Sequence, residues 1–244
     1  ITGHSTPKDL ETLFQLTYLT MTNVKKDVKS VASFVNQMQL VLSNKSLNPN
    51  LVYQDSVESV TNCGNPFYLM PEVEDIQKFD YDRTLEMAKQ LYGNGGQFIY
   101  TIVGNFDEEQ IRPLIEQYLA SMPAGKTVSA KDVRTLFRGE KVCNFTKKME
   151  TPQAQTTEIW LTDKMPYTLE NKVLLSAASQ ILTRIYDRTI REEESAAYSV
   201  YARGQINTNG NGALFLLKAE APTNPDKQKI ARDLMLKYLE EATQ

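Results

Sequence analysis

Histidine is nearly absent from this 244-residue chain: His4 is the only one, and Cys63 and Cys143 are the only cysteines. With at most three imidazole or thiol ligands, a tetrahedral zinc site built from Cys and His alone cannot form within the chain. A Ser-His-Asp or Cys-His nucleophile system would have to use His4, which has no partner at i+4 and reads as a surface residue. Positive charge is not in excess either. Lys and Arg number 27 against 30 Asp and Glu, for a formal net charge of −3, the wrong balance for a dedicated nucleic-acid binder. No apolar run approaches the roughly 18 residues a membrane-spanning helix needs, and the sequence opens on no charged-then-apolar segment of secretory type. The two cysteines lie 80 positions apart without C-x-x-C spacing. One disulfide or two thiols are both open, with small buried thiols the expectation.

What is present is a mixture of helical and strand patterns. Ser5-Thr6-Pro7 starts a helix whose face is Leu10, Leu13, Phe14, Thr17 and Met21, with Pro at the first helical position. Apolar residues at 3–4 spacing predict a second helix from about 26 to 44, and Asn48-Pro49 starts a third through Val57. Asp80 caps a fourth, stopped at Gly93-Asn94-Gly95-Gly96. Residues 97–103 alternate as a strand. Gly104-Asn105-Phe106-Asp107 then turns into a helix in which Asp107 and Gln110 stand in capping-box register and Pro113 forces a kink or restart. Pro, Gly, Lys, Ser and Thr make 121–140 linker-like, with the domain boundary at 123–140, so that 1–122 and 141–244 form separate cores. Beyond it, strands are expected at 141–149 and 155–162, a long helix at 168–190, and strands at 197–206 and 213–221. The last two flank an Asn- and Gly-rich turn over 207–212, and Asn224-Pro225 opens a final helix. Hairpin connections argue α+β rather than a doubly wound parallel sheet. Strand 98–103 with helix 108–121 also echoes strand 213–219 with helix 225–241 in order and length.

Few residues carry chemistry. The glycines at 93–96 follow a helix and precede a strand, the reverse of a phosphate cradle, so they read as a helix stop. The turn at 104–107 has the right order, but Asp107, Glu108 and Glu109 would repel an anion there. Glu192-Glu193-Glu194 sits at the C-terminal end of a long helix, where negative charge is unfavourable; either the helix ends before it or the cost is tolerated. One acidic run supplies too few converging oxygens for a hard cation. Arg191 and Tyr198 flank the helix-to-strand junction. There an Arg fork can hold a carbonyl or carboxylate and a phenol can donate to a developing oxyanion. On the residues alone, a structural Arg and a half-buried Tyr are the stronger reading.

Three stretches carry a family resemblance: 1–11 (Ile-Thr-Gly-His-Ser-Thr-Pro-Lys-Asp-Leu-Glu), Gly104-Asn105-Phe106-Asp107 with the helix to Tyr118-Leu119-Ala120-Ser121-Met122-Pro123, and Ile190-Arg191-Glu192-Glu193 through Ala197-Tyr198-Ser199-Val200. The chain resembles the pitrilysin/insulinase zinc metallopeptidases, the inverzincins, over nearly its whole length and especially their bacterial members. The resemblance implies four similar α+β domains of the LuxS/mitochondrial-processing-peptidase type, paired into halves that close over a peptide. It implies two such subdomains here, both incomplete: 1–122 as part of the third domain and 141–244 as the start of the fourth. It also implies that zinc is a cofactor held by H-x-x-E-H in the other half, with none in this chain. The partners implied are that zinc-bearing half, in the same polypeptide or another subunit, and a peptide substrate, in a periplasmic setting. The family's Arg and Tyr fall on Arg191, as a peptide-binding residue, and Tyr198, as peptide-binding and oxyanion-stabilising. Where the usual pattern has Gly before the Tyr, this chain has Ala197. The alternative is a non-catalytic homologue acting as a partner subunit or peptide-binding scaffold.

Overall fold

The structure, a computed structural model, describes residues 1–129, 131–209 and 212–242. In chain order the elements are α1 (Leu10–Thr22), α2 (Val28–Ser43), α3 (Pro49–Thr61), α4 (Val73–Gln77), α5 (Tyr81–Tyr92), α6 (Glu108–Leu114), β1 (Ala154–Thr162), α7 (Leu169–Tyr186), β2 (Tyr201–Asn209), β3 (Gly212–Thr223) and α8 (Gln228–Glu241). The α+β class holds. Helix starts follow the local chemistry: Asp27 accepts from the Ser30 N–H, Asn48 from Asn50 and Leu51, Asp80 from Arg83, and Asp107 from Glu109 and Gln110. Each cap satisfies backbone donors that would otherwise lack a partner, worth roughly 1 kcal/mol apiece. Pro113 ends regular α-helical winding as expected, since the chain widens into a π-type turn over Ile115–Leu119.

Two expected strands are not formed. Residues 97–103 and 141–149 pair with no strand among the described residues. In 97–103 the alternation is real, because Ile99 is 95% and Val103 90% exposed while Phe98, Tyr100 and Ile102 are partly buried. Strand propensity is present, but a ladder needs a neighbour. Of the turn expected over 207–212, Gly210 and Asn211 lie outside the described residues.

The chain divides into two compact units, one of Ile1–Asn44 with Pro71–Ser129 and one of Lys45–Met70 with Ala130–Gln244. In the first, Phe14, Met21, Ile111 and Met122 are buried. The Gly95 stop has a packing reason, as a Cβ there would lie 2.3 Å from the Met122 Cβ. The second unit takes in α3, which precedes the expected 123–140 boundary by some sixty residues. It does so through long-range bonds: Tyr53 Oη donates to Thr157 Oγ1 (2.6 Å), Asn65 Nδ2 to the Val133 carbonyl (2.6 Å), and Thr135 Oγ1 to the Asn62 carbonyl (2.5 Å). The segment 121–140 itself carries no helix or strand among its described residues. A prediction follows from this arrangement. Trypsin is expected to cut first at Lys126 or Lys131, both exposed. The two fragments should still co-elute on size exclusion, because α3 stays bound to the β-containing fragment. Preferred cutting inside 98–119, or separation of the fragments without denaturant, would refute it.

The second unit is built on an antiparallel sheet ordered β1-β3-β2. Pairing runs from Ala154↔Thr223 to Thr162↔Phe215 and from Tyr201↔Glu220 to Asn209↔Gly212. Period-two alternation sends Ala219, Ala221 and Ala202 to one face, where they pack with Leu182, Tyr186 and Met235 of α7 and α8. Small side chains let the helices come close. Gly204 extends this: a Cβ there would meet the Leu175 Cγ at 2.6 Å. The Thr183 hydroxyl closes part of the β2 edge, accepting from the Ala202 N–H (2.9 Å) and donating to the Ala202 carbonyl (3.0 Å). That uses up backbone groups which would otherwise template further pairing.

Candidate functional site

The junction after α7 is fixed from its buried side. Beyond Tyr186 the helix widens over Asp187–Glu193, with Thr189 and Ile190 buried. The turn closes with the Glu194 N–H on the Thr189 carbonyl (3.2 Å) and the Ala196 N–H on the Ile190 carbonyl (2.8 Å), and Ser195 takes φ +48 between them. This is a left-handed helix stop made without glycine. The helical winding therefore runs into the acidic run and ends at Glu193, where Arg188 Nε lies 3.6 Å from the Glu193 carboxylate and offsets some of its cost.

Arg191 stands on the outer side of this turn. Its Nη1 donates to Asp187 Oδ1 at 2.9 Å, an i,i+4 pair, and about half of the side chain is exposed. The hydrogen bond and charge of Asp187 raise the already high guanidinium pKa further, so Arg191 is a permanent cation. From Ala196 the chain enters the sheet, where Ala197 bridges to Thr223 and the Tyr198 N–H donates to the Pro222 carbonyl at 3.3 Å. Ala196 and Val200 face the core while Tyr198 points outward, its side chain 75% exposed. Its Oη donates a long bond to Asn224 Oδ1 at 3.4 Å. Ala197, standing where Gly was anticipated, keeps a negative φ; the left-handed residue is Ser195. Glycine is not needed for this strand entry.

Tyr198 borders a cavity of about 350 Å3 at the β1 and β3 ends, with Thr151, Gln153, Ala154, Pro222 and Asn224. Arg191 is not among its lining residues. The two candidate residues thus share one junction, but their polar ends have separate partners, and no hydrogen bond joins them among the described residues. Asp187 and Asn224 were not singled out in the sequence as partners of the two candidate residues. Asp187 was accessible from it as a carboxylate four residues before an Arg on a helix. Asn224 was not, since it lies 26 positions from Tyr198.

The other candidate ligands do not assemble. His4 is exposed. Cys63 and Cys143 are exposed free thiols, which corrects the expectation of buried ones; Cys63 occupies the φ +54 position just after α3. Among the described residues no group of three or more His, Cys, Asp or Glu side chains is placed to hold a metal. The side chains described here do not fit a zinc site. No helix among the described residues is long and apolar enough to cross a membrane.

Comparison with known families matches residues 78–244 to the family described as peptidase M16 inactive domain. A zinc protease PQQL-like protein of Arabidopsis thaliana is 30% identical over 117 residues, 47% of this chain and 12% of that protein. The probable zinc protease PqqL of Escherichia coli strain K12 is 26% identical over 168 residues, 67% of this chain and 18% of that protein. The chain therefore spans less than a fifth of the length of either relative. The crystal structure of the periplasmic protease PqqL from Escherichia coli superposes on 98% of this chain and 26% of that one, with a TM-score of 0.82 at 19% identity.

Proposed function

The chain belongs to the peptidase M16 inactive-domain family, and on that premise we propose that it is the substrate-binding, non-zinc half of a zinc-dependent endopeptidase that closes over peptides. Residues 1–122 belong in this reading to the third family-type domain and 141–244 to the start of the fourth. The unpaired strand-like segment 97–103 supports incomplete domains, since its echo in the second unit, β3, is a central strand with a neighbour on each side. Zinc is held by a partner half, in the same polypeptide or in another subunit, where it supplies Lewis-acid chemistry. The setting is periplasmic, by analogy with the Escherichia coli protease.

The observation that carries the reading is the outward Tyr198 phenol on a strand entry locked by the Pro222 and Thr223 backbone. A residue serving only the core would be turned inward. Tyr198 has a hydroxyl with one long, weak partner, so it can exchange Asn224 for a developing oxyanion without breaking a strong bond. Arg191, held by Asp187 but half exposed, offers its remaining donors to a peptide carbonyl or carboxylate.

The test is complementation. The protein alone should release no product from a quenched peptide. Adding the zinc-bearing half, or expressing both in one polypeptide, should give cleavage that a chelator abolishes. Peptidase activity from the 244-residue protein alone would overturn the reading. So would full activity of the zinc half without it.

A further inference from the structure

A second cavity, of about 510 Å3, lies on the sheet face of the second unit opposite α7 and α8. Its floor and walls include Val57, Leu136, Ile159, Leu214 and Leu216, and its charged lining is Glu58, Glu220, Arg134, Arg203 and Lys218. None of these belongs to the Arg191/Tyr198 junction.

Acceptors in this lining are already engaged. Glu220 takes hydrogen bonds from Tyr201 Oη (2.7 Å) and Thr157 Oγ1 (3.4 Å) and pairs with Lys218 Nζ at 3.0 Å. Burial alone would raise its carboxyl pKa, but the Tyr201 and Lys218 contacts outweigh that and hold it below the usual range. Glu58 accepts from Asn62 Nδ2 at 2.9 Å. Donors, in contrast, are left over. Arg134 forks onto Asp132 through Nε and Nη2, at 3.0 and 2.8 Å, yet its buried Nη1 has no hydrogen-bond partner. The Arg203 side chain makes no hydrogen bond or ion pair among the described residues. It also stands directly across the ladder from Lys218 on the same face, and like charges at opposed positions weaken a strand pair. The Lys218–Glu220 ion pair offsets part of that repulsion and leaves Arg203 as a cation of the lining with no ion pair among the described residues. Arg134 Nη1 is shut off from solvent, so a ligand in the cavity meets the Arg203 guanidinium and the Lys218 ammonium, and a carboxylate is the planar match for an Arg fork.

We propose that this cavity binds a carboxylate on an apolar stem, presented by a peptide as an acidic side chain or as its C-terminus. Arg203 and Lys218 receive the carboxylate, and the stem lies on Leu214, Leu216 and Ile159. The proposal does not rest on the peptidase reading, because binding is measured on this protein with no zinc half present.

Three probes distinguish the sources: acetyl-Leu-Leu-Glu-amide, its Gln counterpart, and acetyl-Leu-Leu-Leu with a free carboxylate. Each is titrated into the 244-residue protein at low salt while the arginine side-chain N–H resonances are followed by NMR. Saturable binding of a carboxylate peptide is expected, shifting the Arg203 signals, with the Gln amide roughly tenfold weaker or worse. Preference for the Glu-amide assigns the site to acidic side chains, and preference for the free carboxylate assigns it to peptide ends. Arg203→Gln, on an exposed side chain of an edge strand, should weaken binding about tenfold, at a melting temperature unchanged or slightly raised because the opposed charges are relieved. Lys218→Gln provides a second variant should Arg203→Gln unfold. Arg188→Gln, outside the cavity, should bind like the parent. No saturable binding by any probe, equal binding of the Gln peptide, or equal weakening by Arg188→Gln would each overturn the proposal.

Discussion

Tyr198→Phe, placed in the full-length zinc-bearing protein, should lower kcat by roughly ten- to a hundredfold and leave KM nearly unchanged. A phenol that donates only as negative charge develops contributes to the transition state and not to the bound ground state, and its loss therefore appears in kcat alone. Removing a lone oxyanion donor costs about 2.7–4 kcal/mol; a smaller loss is expected where a metal shares the charge. Arg191→Lys should behave differently. An ammonium cannot make the forked contact, so KM should rise as kcat falls. Folding should be untouched in both, since Tyr198 is 75% exposed and, among the described residues, Arg191 pairs only with Asp187 on the same turn. Asp187→Asn supplies the contrast: it frees the guanidinium without removing it, and should change KM more than kcat. Parental activity in Tyr198→Phe, or a melting temperature that collapses in either variant, would return both residues to structural roles.

The local chemistry of the elements was legible because it is carried by neighbours in sequence. Asp27, Asn48, Asp80 and Asp107 cap helices through bonds that reach only two or three residues ahead. Pro113 announces the end of regular winding for the same reason. The misses share the opposite cause. Residues 97–103 have every local mark of a strand, yet a ladder is a property of two segments, and no second segment is present among the described residues. α3 packs with a sheet about a hundred residues downstream through Tyr53 and Thr157, a pairing with no signature in either stretch. The same split divides the candidate site. Arg191 and Tyr198 stand at a junction readable from the end of one periodic run and the start of another, and the family resemblance singled them out. Asn224, which receives the phenol, comes from the far end of β3. The carboxylate-binding face was hidden for a further reason: it depends on register, which sets Arg203 against Lys218 and brings Tyr201 to Glu220.

Tyr186→Ala should cost about 3–5 kcal/mol of stability, enough to unfold a marginal domain of this size. Tyr186 is fully buried at the centre of the second unit's core, against Leu182, Ile190, Ala231 and Met235. Its small neighbours on the sheet, Ala219 and Ala221, cannot move in to fill the space. Its Oη donates to the Met235 carbonyl at 2.9 Å, joining α7 to α8. Tyr186→Phe keeps the volume and loses only that bond, so the cost should fall to about 0.5–1.5 kcal/mol. The two variants also separate by pH. Burial, with a smaller contribution from the Glu158 charge, pushes the Tyr186 phenol up to about 12 from its ordinary value of 10.0. The folded state therefore favours the neutral phenol. Its contribution is complete below pH 10 and is lost as the pH rises toward 12, because the unfolded chain ionises first. Tyr53, pushed up to about 12 mainly by burial beside Thr157, adds a second group with the same sign. Denaturant unfolding followed between pH 9 and 12 should show the parent losing stability steeply above pH 10. Tyr186→Phe should lose it less steeply, and the double variant with Tyr53→Phe less steeply again. An identical alkaline slope in all three proteins would mean that neither phenol is held neutral by the fold, and the packing account of the α7–α8 core would fail with it.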